Sequence, residues 1–407
     1  MHRFEDVLAS LLAAAERLLS REFGREVRLG DAARLSEHGR RNILVRARDL
    51  CGGFPASFII KKVVVDTYNP DDAASWDIRR FFSDWVGAQF LSAMPDGPHG
   101  PRFYGGDYSL GLFILEDLGY HRSLVEPLLK EDAASAERAL LRFSARLGAL
   151  HAATIGHSAQ FERLFTAISP KVWAYAQEVP NVDERVKQLQ ACLDRVGVRA
   201  NTDETRDLEA VVDAAENPGP FLSYIHGDPC PDNVFLIDDE LRLIDFEFGR
   251  FGHSLMDGTY SRMAFPTCWC ANRLPRGLVS KMEAVYRAEL VKGCSHAQED
   301  RIFERAVVEA CGFWLFSTLS RHLDGALEAD HTWGIATMRQ RLLARLEAFV
   351  GVAKEFNQLP GLRGIAGRVL QELGKLWPGT DPLPLYPAFR DVPCDQGKAD
   401  VTRHASR

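Results

Sequence analysis

The chain has 407 residues, 46% of them hydrophobic and 26% charged, which is the balance of a folded, water-exposed protein long enough for two lobes around a cleft. A net charge of −7, with no basic run able to neutralise a row of phosphates, sets nucleic acid aside as a partner. The eight cysteines are scattered rather than framed for disulfides and read as reduced thiols of a cytoplasmic protein; Cys268 and Cys270 sit closer than the usual zinc spacing and read as two buried thiols.

Residues 4–19 place Phe4, Val7, Leu8, Leu11, Leu12, Ala15, Leu18 and Leu19 at helical spacing, so a short opening helix docks through one apolar stripe. Glu5, Asp6 and Glu16 interrupt its apolar residues, and nothing downstream reaches the apolar length of a bilayer span, so the chain is expected to be neither secreted nor in a membrane. From Arg34 the pattern turns to short β-like runs, Ile43-Leu44-Val45, Phe58-Ile59-Ile60 and Val63-Val64-Val65. A helical stretch from about Trp76 to Ala93, a Pro/Gly-rich connection over 95–106 and a strand at Leu112-Phe113-Ile114-Leu115 follow. Asp132 is placed to cap a long helix whose Ala136, Leu140, Phe143, Leu147 and Leu150 face a core. Helical patterns then run to about Phe356, broken once by a hairpin around 221–248, and the stretch from Trp377 reads as an irregular tail.

The chemistry is concentrated in that hairpin. His226-Gly227-Asp228-Pro229-Cys230-Pro231-Asp232-Asn233 leads into Val234-Phe235-Leu236-Ile237, a polar Asp238-Asp239-Glu240 turn, and Leu241-Arg242-Leu243-Ile244-Asp245-Phe246-Glu247. Two apolar runs flanking a polar turn send the chain out along one strand and back along its neighbour. Asn233 and Asp245 therefore fall at the same end, with Asp228 in the proline-bent loop leading in. An amide oxygen and two carboxylates converging there are hard ligands suited to Mg²⁺ with bound phosphates. Phosphoryl transfer asks for positioning and charge neutralisation, which Asn233 and Asp245 would serve, and for a separate carboxylate to orient the attacking hydroxyl and take its proton, which is the place of Asp228.

His-Gly-Asp, four residues, Asn, a short hairpin and Ile-Asp-Phe together are similar to the signature of the aminoglycoside phosphotransferase and choline kinase group, relatives of the protein kinases. The resemblance covers about residues 34–260. It implies an α+β, two-lobed, protein-kinase-like fold with a small β-rich N-lobe at 1–116, a larger mainly helical C-lobe at 117–376 and a tail at 377–407. It also implies that Lys61, in Phe58-Ile59-Ile60-Lys61-Lys62-Val63, holds the phosphates, with Lys62 on the opposite face of the strand. Asp84, in Phe82-Ser83-Asp84-Trp85, stands where the group carries a glutamate to pair that lysine. Gly39 and Asn42, in Ser36-Glu37-His38-Gly39-Arg40-Arg41-Asn42, would belong to the loop over the phosphates. Glu116 and Leu118, in Leu115-Glu116-Asp117-Leu118-Gly119, would form the hinge that meets the nucleobase. His151 and Asp257 read as structural hydrogen-bonding residues.

The expected activity is transfer of the γ-phosphoryl group of ATP, with GTP as the alternative donor, in the presence of Mg²⁺, onto a hydroxyl of an amino-alcohol, aminoglycoside or sugar-like acceptor. Glu247, where protein kinases carry glycine after Asp-Phe, and Trp269 are the candidate acceptor-binding residues, facing a cationic group by charge and by cation–π contact. The alternatives are a protein kinase, disfavoured because no Ala-Pro-Glu segment follows Asp245, and a catalytically weak kinase-fold nucleotide-binding module. Oligomeric state and the acceptor's identity are not legible in the residues.

Overall fold

A computed structural model of the chain describes residues 2–37, 40–95, 99–178, 182–238 and 240–390. Helix α1 (His2–Phe23) lies on a five-stranded sheet built from β1 (Leu29–Arg34), β2 (Asn42–Asp49), β3 (Ser57–Val63), β4 (Phe103–Asp107) and β5 (Leu112–Glu116), in the order β1-β2-β3-β5-β4. Every pairing in it is antiparallel. Leu11, Ala15 and Leu19 of α1 pack on Val45, Phe58, Ile60 and Ile114, so the apolar stripe of the opening helix covers one face. Helix α2 (Trp76–Ser92), capped by the Ser75 hydroxyl, covers the other, where Phe81 and Trp85 meet Phe113. Alternation along β3 then decides the site, because Phe58 and Ile60 point to α1 while Lys61 points to α2.

Three local expectations differ from what forms. The first strand begins before Arg34, at Leu29. The connection over 95–106 ends in β4, whose Gly105 and Gly106 pair across to Ile114 and Phe113 despite their low strand propensity, because a neighbouring strand supplies the partners. Val63-Val64-Val65 makes no separate strand: β3 ends at Val63, and the Val64 N–H turns to the Arg41 carbonyl.

Beyond β5 come β6 (Arg122–Ser123), α3 (Val125–Lys130) and α4 (Ala133–Thr154), the last capped by the Asp132 carboxylate on the Ser135 N–H. Ala136, Leu140, Phe143, Leu147 and Leu150 of α4 are all buried, as their spacing requires. Helices Ser158–Ile168, Pro170–Ala176, Val182–Asp194 and Thr202–Glu216 lead to β7 (Leu222–Ile225). Strands β8 (Val234–Ile237) and β9 (Glu240–Leu243) form the hairpin in the register Val234↔Leu243 to Ile237↔Glu240. Strand β6 adds to β8, and β10 (Arg250–His253) returns to pair with β7. Helices Arg276–Leu290, Asp300–Glu328, Met338–Glu355 and Pro360–Leu376 complete a mainly helical remainder. The architecture is α+β, with a β-rich N-terminal part and a mainly helical remainder. Residues 378–390 are irregular yet packed, with Leu383, Tyr386 and Phe389 buried and the Tyr386 N–H bonded to the Arg273 carbonyl. No helix among the described residues is long and apolar enough to cross a membrane.

Candidate active site

The sheet and the hairpin face each other across a cleft of about 930 Å³ whose walls include Lys61, Asp84, Leu115, Asn233 and Asp245. Lys61 is buried and its ammonium bridges two carboxylates, Asp84 Oδ2 at 2.6 Å and Asp245 Oδ1 at 2.7 Å. Burial alone would lower the lysine pKa, but the charges of Asp245 and Asp84 outweigh it and hold the ammonium above its ordinary range. Asp84, shorter by one methylene than the glutamate usual in the resemblance, reaches the lysine from α2 and also accepts the Phe246 N–H at 2.8 Å. Asp245 itself sits at φ 66°, a left-handed conformation uncommon for a side-chain-bearing residue, so the backbone at this point is held by its surroundings. Lys62, on the opposite face of β3, donates to the Leu110 carbonyl.

The segment from His226 to Asn233 follows β7. Gly227 has φ 77°, and a Cβ there would lie 2.5 Å from the Phe248 carbonyl oxygen, so only glycine fits between histidine and aspartate. Buried Asp257 accepts the backbone N–H groups of His226 (2.6 Å) and Gly227 (3.1 Å). Burial tends to raise the pKa of Asp257, but its bonds and charge contacts with His151 and His226 hold it below the usual carboxylate range. His151 is tied to Tyr286 at 2.8 Å and to Asp257 at 3.4 Å, deep in the core. His226 donates from Nε2 to the Ile244 carbonyl at 2.9 Å, since a carbonyl can only accept. The Ile244 N–H bonds the Asn233 carbonyl at 3.0 Å, and Asn233 Nδ2 donates to the Asp228 carbonyl at 3.0 Å. Loop and hairpin are thereby one hydrogen-bonded unit.

Asp228 is held differently from Asp245. Its Oδ1 accepts from the Thr267 hydroxyl, from Tyr260 at 3.1 Å and from the Cys230 thiol at 3.1 Å. Among the described residues no cation pairs with it. Sequence reading did not find the hydroxyl donors, which stand up to 39 residues away in the chain; Thr267 lies two residues before Trp269.

The remaining candidates are distributed as follows. Asn42 and Leu118 line the cleft, whereas Gly39 lies outside the described residues. Glu116 ends β5 and its carboxylate accepts the Arg102 N–H at 3.0 Å, while the neighbouring Asp117 pairs with Arg46 at 2.7 Å, fastening the end of β5 to β2. Glu247 is ion-paired with Arg80 and lies 3.6 Å from Arg41. Trp269 is partly exposed and its indole N–H donates to Asp232 Oδ2 at 3.0 Å.

Among curated proteins no match to the sequence is found. Solved structures with a related course of the chain include a choline/ethanolamine kinase family protein from Mesorhizobium loti, 14% identical with a TM-score of 0.43, covering 82% of this chain and 93% of that one. A choline kinase from Cryptosporidium parvum Iowa II is 14% identical with a TM-score of 0.43, covering 84% and 93%. An ADP-bound aminoglycoside phosphotransferase is 13% identical with a TM-score of 0.44, covering 83% and 95%. Residues 93–279, which hold the Asp228 loop, the hairpin with Asn233 and Asp245, and Asp257, match the model of the phosphotransferase enzyme family.

Proposed function

We propose that the protein transfers the γ-phosphoryl group of ATP, or of GTP, onto a hydroxyl of a small molecule, with Asp228 as the base. The observation that supports this reading is the tie of Asn233 to the backbone of the Asp228 loop, at the end of the hairpin where Asp245 meets a buried lysine that also pairs with Asp84. The donor set suits Mg²⁺. Asn233 is oriented by giving its amide N–H to the Asp228 carbonyl, which leaves Oδ1 as a ligand, and Asp245 has Oδ2 beyond the oxygen that Lys61 holds. Mg²⁺ bound by Asn233 and Asp245 supplies charge neutralisation to the phosphate oxygens.

The residues of the chain supply the rest. Lys61, positioned by Asp84, presents its ammonium to the phosphates, and the segment from Glu116 to Leu118 takes the nucleobase edge through its main chain. Thr267, Tyr260 and Cys230 fix Asp228 by Oδ1, so Oδ2 is the oxygen that accepts the acceptor's hydroxyl proton as the bond to phosphorus forms. We assign the Glu247 carboxylate to Arg80 and Arg41, which already balance its charge, and leave Trp269 as the aromatic face available to an amino-alcohol, aminoglycoside or sugar-like acceptor. Transfer of radiolabelled γ-phosphate is to be measured against a panel of such alcohols and against mixed proteins. Label in one or more small alcohols is expected; label only in protein, or in no acceptor, would sink the proposal.

A further inference from the structure

Behind the Asp228 loop the chain gathers thiols from distant segments. Cys230, Cys268 and Cys270 are all buried, and the Sγ atoms of Cys268 and Cys270 are 3.1 Å apart. Cys230 Sγ, Cys268 Sγ and a carboxylate oxygen of Asp232 lie within 4.8 Å of one another. Ligand atoms of a tetrahedral zinc, at about 2.3 Å for sulfur and about 2.1 Å for oxygen, stand roughly 3.5–3.8 Å apart, so this set closes on an ion with small side-chain adjustments. Asp232 is prepared for it, because Oδ2 takes the Trp269 indole N–H while Oδ1 is buried without a partner.

Charge balance points the same way. Arg341 and Arg345 are 0% and 1% exposed, and their hydrogen bonds go to backbone carbonyls, those of Cys268, Trp269 and Trp333 for the first and of Met263 and Pro266 for the second. Among the described residues no carboxylate pairs with either, and Arg341 Nε and Arg345 Nη1 are left without partners. Burying a guanidinium without an anion is costly, and burial pulls the Arg345 pKa down to about 9. Protonated thiols offer these cations nothing. A divalent ion held by two thiolates and a carboxylate leaves a net negative complex beside Arg341, whose guanidinium already grips the Cys268 carbonyl.

We propose that Cys230, Asp232 and Cys268 bind a thiophilic divalent cation, zinc above all, with Cys270 offering a fourth thiolate; on binding, Cys230 gives up the proton it donates to Asp228, whose Oδ1 keeps the hydroxyls of Thr267 and Tyr260. This site is distinct in chemistry from the hard oxygen ligands of Asn233 and Asp245. It braces the segment that carries Thr267 and Tyr260 against the Asp228 loop. The test measures metal in protein purified with reductant and without chelator, by mass spectrometry of the elements. About one zinc per chain is expected in the wild type and in Cys311→Ser, whose thiol is buried elsewhere, and less than about a tenth in Cys268→Ser. A second readout needs no substitution: wild-type protein stripped of metal and reloaded with Co²⁺ should develop thiolate-to-cobalt charge-transfer absorption and tetrahedral d–d bands. Full zinc content in Cys268→Ser, or cobalt spectra of octahedral oxygen ligation in the wild type, would overturn the proposal.

Discussion

Two carboxylates of the loop and hairpin are held by opposite means. Asp245 is gripped by a buried ammonium, which a second carboxylate, Asp84, grips in turn. Asp228 is held by two hydroxyls and a thiol, none of them charged. A fixed cation beside a carboxylate lowers its basicity and ties it into the fold, whereas neutral donors orient a carboxylate and leave its charge uncompensated. In the proposed function the ionic side would hold metal and phosphate, and Asp228 would orient the acceptor hydroxyl.

The contrast breaks most sharply at Asp228. Asp228→Asn should lower kcat by about 10³-fold or more, within the range for loss of a general base, while nucleotide affinity by calorimetry stays near wild type. Equal losses in kcat and in nucleotide binding would mean that Asp228 belongs to the ionic side after all. Asp84→Ala should instead destabilise the fold by about 3–5 kcal/mol in urea unfolding, because it leaves a buried ammonium with one partner fewer. A change near zero would show that the Lys61 bridge is dispensable to folding.

Smaller effects sharpen the comparison. Lys61→Ala should raise the nucleotide KM at least about tenfold, and Lys62→Ala less than about threefold, since only the first faces the cleft. The reverse order would place the wrong face of β3 toward the phosphates. Tyr260→Phe and Thr267→Val should each lower kcat by about three- to tenfold, the worth of one orienting hydrogen bond, with nucleotide KM unchanged. A loss as large as that of Asp228→Asn would assign one of these hydroxyls to the chemistry itself.

Much of the candidate site's geometry was legible because its parts are local. Asp228, Asn233 and Asp245 fall within one loop and hairpin, and strand alternation orders their positions without knowledge of the rest of the chain. Lys61 was separable from Lys62 for the same reason, since consecutive strand residues face opposite ways. The strand over Phe103–Asp107 was hidden because its glycines form a strand only when Leu112–Glu116 lies beside them. Glu247 looked free for a cationic acceptor because nothing in its neighbourhood of sequence announces Arg80 or Arg41 as partners.

The sequence by itself determined the periodicities, and through them the β-rich and helical parts, the helix cap at Asp132, and the common end of the hairpin that Asn233 and Asp245 share. These depend on residues a few positions apart, whose relative placement follows from backbone geometry. Only the tertiary structure decided that an aspartate at position 84 is long enough to reach Lys61, that Thr267 and Tyr260 close on Asp228, and that Cys230 and Asp232 meet Cys268. Those contacts depend on how close whole elements pack, and packing distance is set by every buried side chain between them at once.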